Sequence, residues 1–266
     1  MSDLDRGQVN KSAAEVYEEF FLPALFQEWA KPVVKAAHLQ AGQRVLDVAC
    51  GTGVLARAAL DAVGSSGTVV GLDINEGMLE VARSKTPNID WHKGQAEQLP
   101  FTEASFDAVI SQFGLMFFED KVTALSEMAR VLKPQGKLAV AVWGSLEQTT
   151  GYAAMTELLR RLFGDEAAKG LEAPYSLGNV AQLERLFSQA GIADIDIATK
   201  KCTARFASVE AWVHTDIKGW TLADMIDETQ YQTLLNEAQK DLAAFVSSTG
   251  GVTFDAPAHI IMWQKA

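Results

Sequence analysis

Cysteine is nearly absent from this chain: Cys50 and Cys202 are its two thiols in 266 residues. They do not form a disulfide framework, and a chain of this length buries enough surface to hold a core without staples or metal. Histidine is equally sparse. His38, His92, His214 and His259 are scattered, and no paired Cys or His spacing suits zinc, so no metal site is expected. Apolar runs are short, since Leu138–Trp143 falls far below the roughly 20 residues a membrane helix needs, and Met1–Asn10 is polar with no signal-peptide core. The expectation is a cytoplasmic protein with no membrane span. Gly and Pro, at 20 and 7 residues, are too few and too dispersed for collagen-like or low-complexity structure. Basic residues are also in deficit, with 23 Lys+Arg against 34 Asp+Glu and a net charge of −11. That balance disfavours nucleic acid, whose affinity comes largely from Lys and Arg displacing counterions.

What is present is a regular alternation. Ser12 followed by Glu15 has capping-box spacing, and Val16, Tyr17, Phe20, Phe21, Ala24 and Leu25 form an apolar helical stripe, bent or interrupted near Pro23 and Pro32. From Arg44 onward, short β-branched or apolar runs (Arg44–Ala49, Thr68–Ile74, Ile89–Gln95, Phe106–Phe113, Gly136–Trp143) alternate with helical patterns at Val54–Val63, Glu76–Ser84 and Val122–Leu132. Near-continuously apolar strands joined by helical crossovers indicate a doubly wound α/β sheet, mostly parallel. Helical patterns at Tyr152–Phe163 and Val180–Ala190 then precede an alternating stretch, Ile192–Phe206; a mostly helical region, Val209–Val246, leads to a short closing strand, His259–Gln264. The resulting division is a helical lid over 1–43, a Rossmann-like core over 44–206, a helical cap inserted at 207–258, and an antiparallel closing strand in 259–266.

The first strand runs into Asp47-Val48-Ala49-Cys50-Gly51-Thr52-Gly53 and then directly into a helix. Glycines let the backbone approach a ligand, and the helix start offers free N–H groups and partial positive charge. Gly51-Thr52-Gly53-Val54-Leu55-Ala56 satisfies the dinucleotide fingerprint, with Asp73 twenty residues beyond Gly53, which leaves a nicotinamide-dependent oxidoreductase open. If the first two strands are neighbours, the Asp73 carboxylate sits beside the turn, where ribose hydroxyls can donate to it; capping the following helix is the alternative role. Asp47, placed before the glycines, repels a pyrophosphate but suits a ligand carrying ammonium or sulfonium charge.

Five segments, VLDVACGTG (Val45–Gly53), VVGLDINEGMLEVAR (Val69–Arg83), GQAEQLPF (Gly94–Phe101), FDAVISQFGLMFF (Phe106–Phe118) and LKPQGKLAVAVW (Leu132–Trp143), resemble in order and spacing the class I S-adenosylmethionine-dependent methyltransferases. The resemblance is greatest to the ubiquinone/menaquinone C-methyltransferase-like branch. It implies that Ala49, Gly51 and Gly53 line the methionine part of the cofactor and that Asp73 takes the ribose hydroxyls, with Ile74 and Met78 against the adenine. It places Gln95 and Ala96 at the adenine edge and Gln112 beneath the methionyl group. Gln95 departs from the Asp common among relatives, yet its carbonyl can still accept from the adenine amino group.

Methyl transfer from a sulfonium needs alignment and exclusion of water more than a dedicated base. His214, beside Trp212 in the expected cap, is the candidate base; Cys50 is expected to pack, and the loop acids Glu97 and Glu119 to be solvated. Tyr17, Phe21, Phe113, Phe117 and Trp143 are expected to converge above the carboxyl ends of the strands, where open α/β sheets bind ligands, favouring an apolar or aromatic small-molecule acceptor. A non-catalytic S-adenosylmethionine-binding module is the remaining alternative. Residues Ala207–Ala266 hold 3 Lys+Arg and 8 Asp+Glu, so acids turned inward from the cap would disfavour an anionic acceptor.

Overall fold

A computed structural model describes residues 11–218, 222 and 225–266, excluding the side chains of 11–13. Met1–Asn10 and the Ser12 side chain of the expected capping box lie outside these residues. Among the described residues the strands β1 (Arg44–Val48), β2 (Thr68–Asp73), β3 (Asp90–Lys93), β4 (Phe106–Gln112), β5 (Leu132–Trp143), β6 (Asp196–Phe206) and β7 (Val252–Gln264) form one sheet in the order β3-β2-β1-β4-β5-β7-β6. The pairs β1–β2, β1–β4, β2–β3 and β4–β5 are parallel, whereas β7 runs antiparallel to both β5 and β6. This is the Rossmann-like sheet expected from the sequence.

The central strands are covered on both faces, which is why they read as unbroken apolar runs: Val45–Val48 of β1 and Val69–Asp73 of β2 are buried throughout. Crossovers are supplied by α3 (Val54–Val63), α4 (Glu76–Lys85) and α5 (Lys121–Val131). Asn75 caps α4, its Oδ1 accepting from Met78 N at 3.0 Å, and Asp120 caps α5 in the same way from Thr123 N. The cap on α4 is therefore Asn75, not Asp73.

The N-terminal stripe folds as α1 (Lys11–Val16), a π-helical segment (Tyr17–Phe26) containing Pro23, and α2 (Gln27–Ala36) containing Pro32. Pro23 has no N–H to donate, and the wider π winding absorbs that loss where an α-helix would break. Pro32 does not interrupt α2. Trp29 and Val33 of that helix are fully buried in the main core.

Between β5 and β6 lie α6 (Thr150–Phe163), α7 (Asp165–Glu172) and α8 (Val180–Gln189); between β6 and β7 lie α9 (Val209–Lys218) and α10 (Glu228–Asp241). The closing strand starts at Val252, seven residues before the expected His259, because Val252–Pro257 pair with Lys201–Phe206 beyond the end of β5. Pro257 obscured this, since proline argues against a strand interior. Here it sits just past the β5 ladder, which ends at Trp143 opposite Ala258. His259 is structural: its Nδ1 meets Thr199 Oγ1 at 2.8 Å and its Nε2 meets Gly178 O at 3.0 Å. No helix among the described residues is long and apolar enough to cross a membrane.

Gly178 itself passes close to another backbone, so a Cβ there would lie 2.4 Å from Ser145 N and 2.5 Å from Gly144 C. Gly178→Ala is expected to destabilise by about 1–3 kcal/mol through overpacking, read as a lowered thermal midpoint; an unchanged midpoint would show that the crossing yields freely.

Candidate functional site

Beyond β1 the chain turns through left-handed backbone at Ala49 (φ 57°), Gly51 (φ 53°) and Gly53 (φ 89°). The β1–β2 register sets Val48 opposite Leu72, and the Leu72 carbonyl accepts from Cys50 N at 3.0 Å. Asp73 comes next and pins the turn: its Oδ2 accepts from Gly51 N at 2.8 Å, and its Oδ1 accepts from Asn75 N at 2.8 Å. Burial raises its pKa, and the amides of Asn75, Gly51 and Ile74 oppose that rise.

The glycines of the turn divide their work. A Cβ on Gly51 meets nothing within 4 Å, so that face is open to the cavity. A Cβ on Gly53 would lie 2.4 Å from the Trp91 ring, so Gly53 permits close packing under the turn and does not line the cavity. The Cys50 thiol is buried and its pKa pushed up by that burial, consistent with a packing role.

A cleft opens along the carboxyl ends of β1, β2, β4 and β5, with an empty volume, open mouth included, of about 1340 Å³. Ala49, Gly51, Asp73, Ile74 and Met78 line it on the β1–β2 side, joined by Gln95, Ala96 and Gln112. Ile74 is exposed into it. Tyr17, Phe21, Phe113, Phe117 and Trp143 also line it.

Besides Gly53, two expected residues lie elsewhere. Asp47 is fully buried, with no hydrogen bond to either oxygen among the described residues; burial and the nearby Asp73 charge raise its pKa, eased by the Ala56 amide and Arg57. Its place in the interior of a parallel strand keeps it from the cavity surface. His214 packs edge-on against the Phe20 ring, centroids 5.6 Å apart, and is not in the cavity wall, because α9 turns Trp212 and Val213 inward instead. Glu97 and Glu119, expected to be solvated, both line the cleft, with Glu97 Oε1 accepting from Glu119 N at 2.9 Å.

The aromatic side chains form a continuous wall. Phe113, held at φ 58° just after β4, stacks on Trp143 at the end of β5 with centroids 3.7 Å apart and planes 3° apart. Phe26 meets both edge-on, at 5.7 and 5.6 Å, and Tyr17 lies 5.1 Å from Phe26. In the other direction Trp143 adjoins Tyr175 at 6.4 Å, and Tyr175 adjoins Tyr152 at 5.9 Å. Two contacts tie the N-terminal helices to this floor. Gln112 Nε2 donates to Phe26 O at 3.1 Å, and Arg57 bridges Glu18 (3.1 Å) to Thr52 O (2.7 Å). Gln112 Oε1 is buried with no hydrogen-bond partner among the described residues.

The wall ends at a polar group that the sequence reading missed. Tyr152 donates to Asp216 Oδ1 at 3.0 Å, and Asp216, fully buried, lines the cavity with Tyr175. The signal was available: Val209, Trp212, Val213, Asp216 and Ile217 follow helical spacing, so the acid occupies a buried stripe of α9.

The ubiE/COQ5 methyltransferase family model matches residues 17–158, over half of the chain. The chain belongs to that family. This methyltransferase uses S-adenosylmethionine (EC 2.1.1.-), and the oxidoreductase and non-catalytic readings of the Gly-rich turn give way to it. It is 37% identical over 185 residues to a demethylmenaquinone methyltransferase of Staphylococcus carnosus, covering 64% of this chain and 76% of that one. Its fold is shared with the YcgJ protein of Bacillus subtilis (TM-score 0.61, 24% identity, 90% of this chain and 98% of that chain). It is shared too with phosphoethanolamine N-methyltransferase 2 of Haemonchus contortus, solved with S-adenosyl-L-methionine (TM-score 0.63, 20% identity, 99% of this chain and 59% of that chain).

Burial pushes the Asp216 carboxyl of this methyltransferase up to about 8, with Tyr152 and Trp212 easing the charge. An unfolded Asp titrates near 4, so the protonated group favours the fold below about pH 4, and that contribution is lost as pH rises through about 8. In thermal melts, wild type is expected to lose midpoint relative to Asp216→Asn across this window and to run level above it. Parallel curves would contradict the buried placement.

Proposed function

We propose that this enzyme methylates a small apolar or aromatic molecule by direct in-line displacement, with the acceptor laid against the Phe113–Trp143 wall. The observation that carries the reading is the continuity of one cavity from Asp73 and Gly51, through that wall, to Tyr175. The name shared by the staphylococcal relatives, demethylmenaquinone methyltransferase, is in line with an apolar acceptor.

The residues present fit S-adenosylmethionine. Each Asp73 oxygen already takes one backbone amide and keeps acceptor capacity for a ribose hydroxyl. Gly51 leaves open space where any side chain would intrude, and the orphaned Gln112 Oε1 suits an ammonium donor at the methionyl end. Ile74 and Met78 provide apolar contact for the adenine, with Gln95 and Ala96 at its edge. Asp47, fully buried and not lining the cavity, supplies no direct contact. When bound, the cofactor brings a methyl group on a sulfonium and departs as a neutral thioether.

The protein's part is to align and to exclude water. Tyr17, Phe21, Leu25 and Phe26 of the N-terminal segment and Asp216 of α9 border the cleft, and the Gln112–Phe26 and Glu18–Arg57 contacts register the N-terminal segment on the cofactor turn. Tyr17 stands between the two halves, beside Phe26, with its hydroxyl pKa raised chiefly by burial and next by Glu18.

Asp73→Asn keeps one acceptor oxygen, whereas Asp73→Ala also frees the Gly51 and Asn75 amides. By calorimetry, Asp73→Ala is expected to weaken S-adenosylmethionine binding at least tenfold, about 1.5–3 kcal/mol per charge-assisted bond, with Asp73→Asn intermediate; unchanged affinity would remove Asp73 from the site. Gly51→Val, projecting into the cleft, is expected to abolish binding. Acceptor class is decided by mass spectrometry of methylated products from a panel of apolar aromatic and polar aliphatic compounds. Tyr17→Phe and Tyr17→Ala should both raise acceptor KM. Methylation confined to polar aliphatic compounds would overturn the proposal.

A further inference from the structure

The region matching the family model ends at residue 158, yet the far end of the cavity is walled by Leu171, Tyr175 and Asp216. The acceptor end is thus walled in part by residues outside the matched region. Asp216 is one of eight acids in Ala207–Ala266, and its position in the buried stripe of α9 turns it inward. Its Oδ1 takes the Tyr152 hydroxyl; its Oδ2 is buried and has no hydrogen-bond partner among the described residues. Tyr152 is itself fixed, its ring lying against Phe254 (5.3 Å), Trp212 (5.9 Å) and Tyr175 (5.9 Å). A rigid, desolvated acceptor at the end of an aromatic wall is the arrangement that reads one polar substituent on a flat molecule, because a ligand lacking the donor leaves that oxygen unsatisfied.

We infer that Asp216, oriented by Tyr152, determines acceptor specificity by accepting at Oδ2 a hydrogen bond from a hydroxyl group on a planar aromatic acceptor. The inference rests on the aromatic-acceptor reading above. An anionic substituent is repelled there. A hydroxyl suits the site better than an ammonium group does: the groups easing the Asp216 charge, Tyr152 and Trp212, are both neutral, a further neutral donor at Oδ2 favours the ionised carboxylate that accepts it, and an ammonium partner requires a desolvated ion pair.

The test is calorimetric titration of the full chain, saturated with S-adenosylhomocysteine, by 1-naphthol, 1-methoxynaphthalene and 1-naphthylmethylamine. Wild type is expected to bind 1-naphthol about tenfold or more tightly than its methyl ether. Asp216→Leu should bring that ratio close to one while leaving S-adenosylhomocysteine affinity unchanged. Asp216→Asn should retain part of the preference, and Tyr152→Phe should reduce it; these near-isosteric variants carry the test if Asp216→Leu does not fold. A ratio that survives in Asp216→Leu or in both milder variants, or tighter binding of the amine than of 1-naphthol, overturns the assignment. Binding of both neutral probes with equal affinity by wild type overturns it while leaving the aromatic-acceptor reading intact. Failure of every naphthalene to bind, with S-adenosylhomocysteine still bound, overturns both.

Discussion

The site depends on one carboxylate accepting two backbone amides. Asp73 sits at the end of β2, and its hold on Gly51 N and Asn75 N fixes both the turn after β1 and the start of α4. Without it the turn keeps the Cys50 N–Leu72 O bond to β2, but the left-handed Gly51 loses its own anchor across the strands and the cavity edge loses definition. Parallel pairing of β1 with β2 is what brings the carboxylate there, so the site follows from the sheet order. Trp91 supports the arrangement from beneath: its ring lies where a Cβ on Gly53 or Gly71 would be, so those two glycines admit it.

The far half of the cavity is organised differently. Aromatic rings from the π-helical segment, the residue after β4, the end of β5 and the segment before α8 meet there edge to face, tilted or stacked. Such a surface is apolar and geometrically firm. The Tyr152–Asp216 pair adds a buried hydrogen bond to it. Cofactor side and acceptor side are thus built on two kinds of interaction, directional hydrogen bonds in one and ring packing in the other.

Much of the core was readable because buried parallel strands leave an unmistakable pattern, and because a Gly-rich turn followed at fixed spacing by Asp73 depends on local sequence alone. Tyr17, Phe113 and Trp143 were found for a related reason, since the topology of an α/β sheet says where strand ends point. Asp216 was not found, because its approach to Tyr152 spans 64 residues and depends on how the cap folds back. Asp47 was placed at the ligand from its position before the glycines, but it is fully buried within β1 and does not line the cavity. Gly53 was grouped with Gly51 by motif, whereas only the three-dimensional position of Trp91 separates their roles. The early start of β7 was hidden by Pro257, whose effect depends on where β5 stops.

The hairpin of β6 and β7 extends beyond β5 over Val252–Pro257, about 20 Å of ribbon at roughly 3.4 Å per residue. Its Phe254 packs against Tyr152 and Trp212, so α9 is carried by this antiparallel ribbon and not by the parallel strands that shape the cofactor turn. Residues on that arm can therefore drift, lengthen or be exchanged without disturbing the registers of β1, β2 and β4. In such a molecule the choice of acceptor can diversify while the methyl-donor half stays as it is.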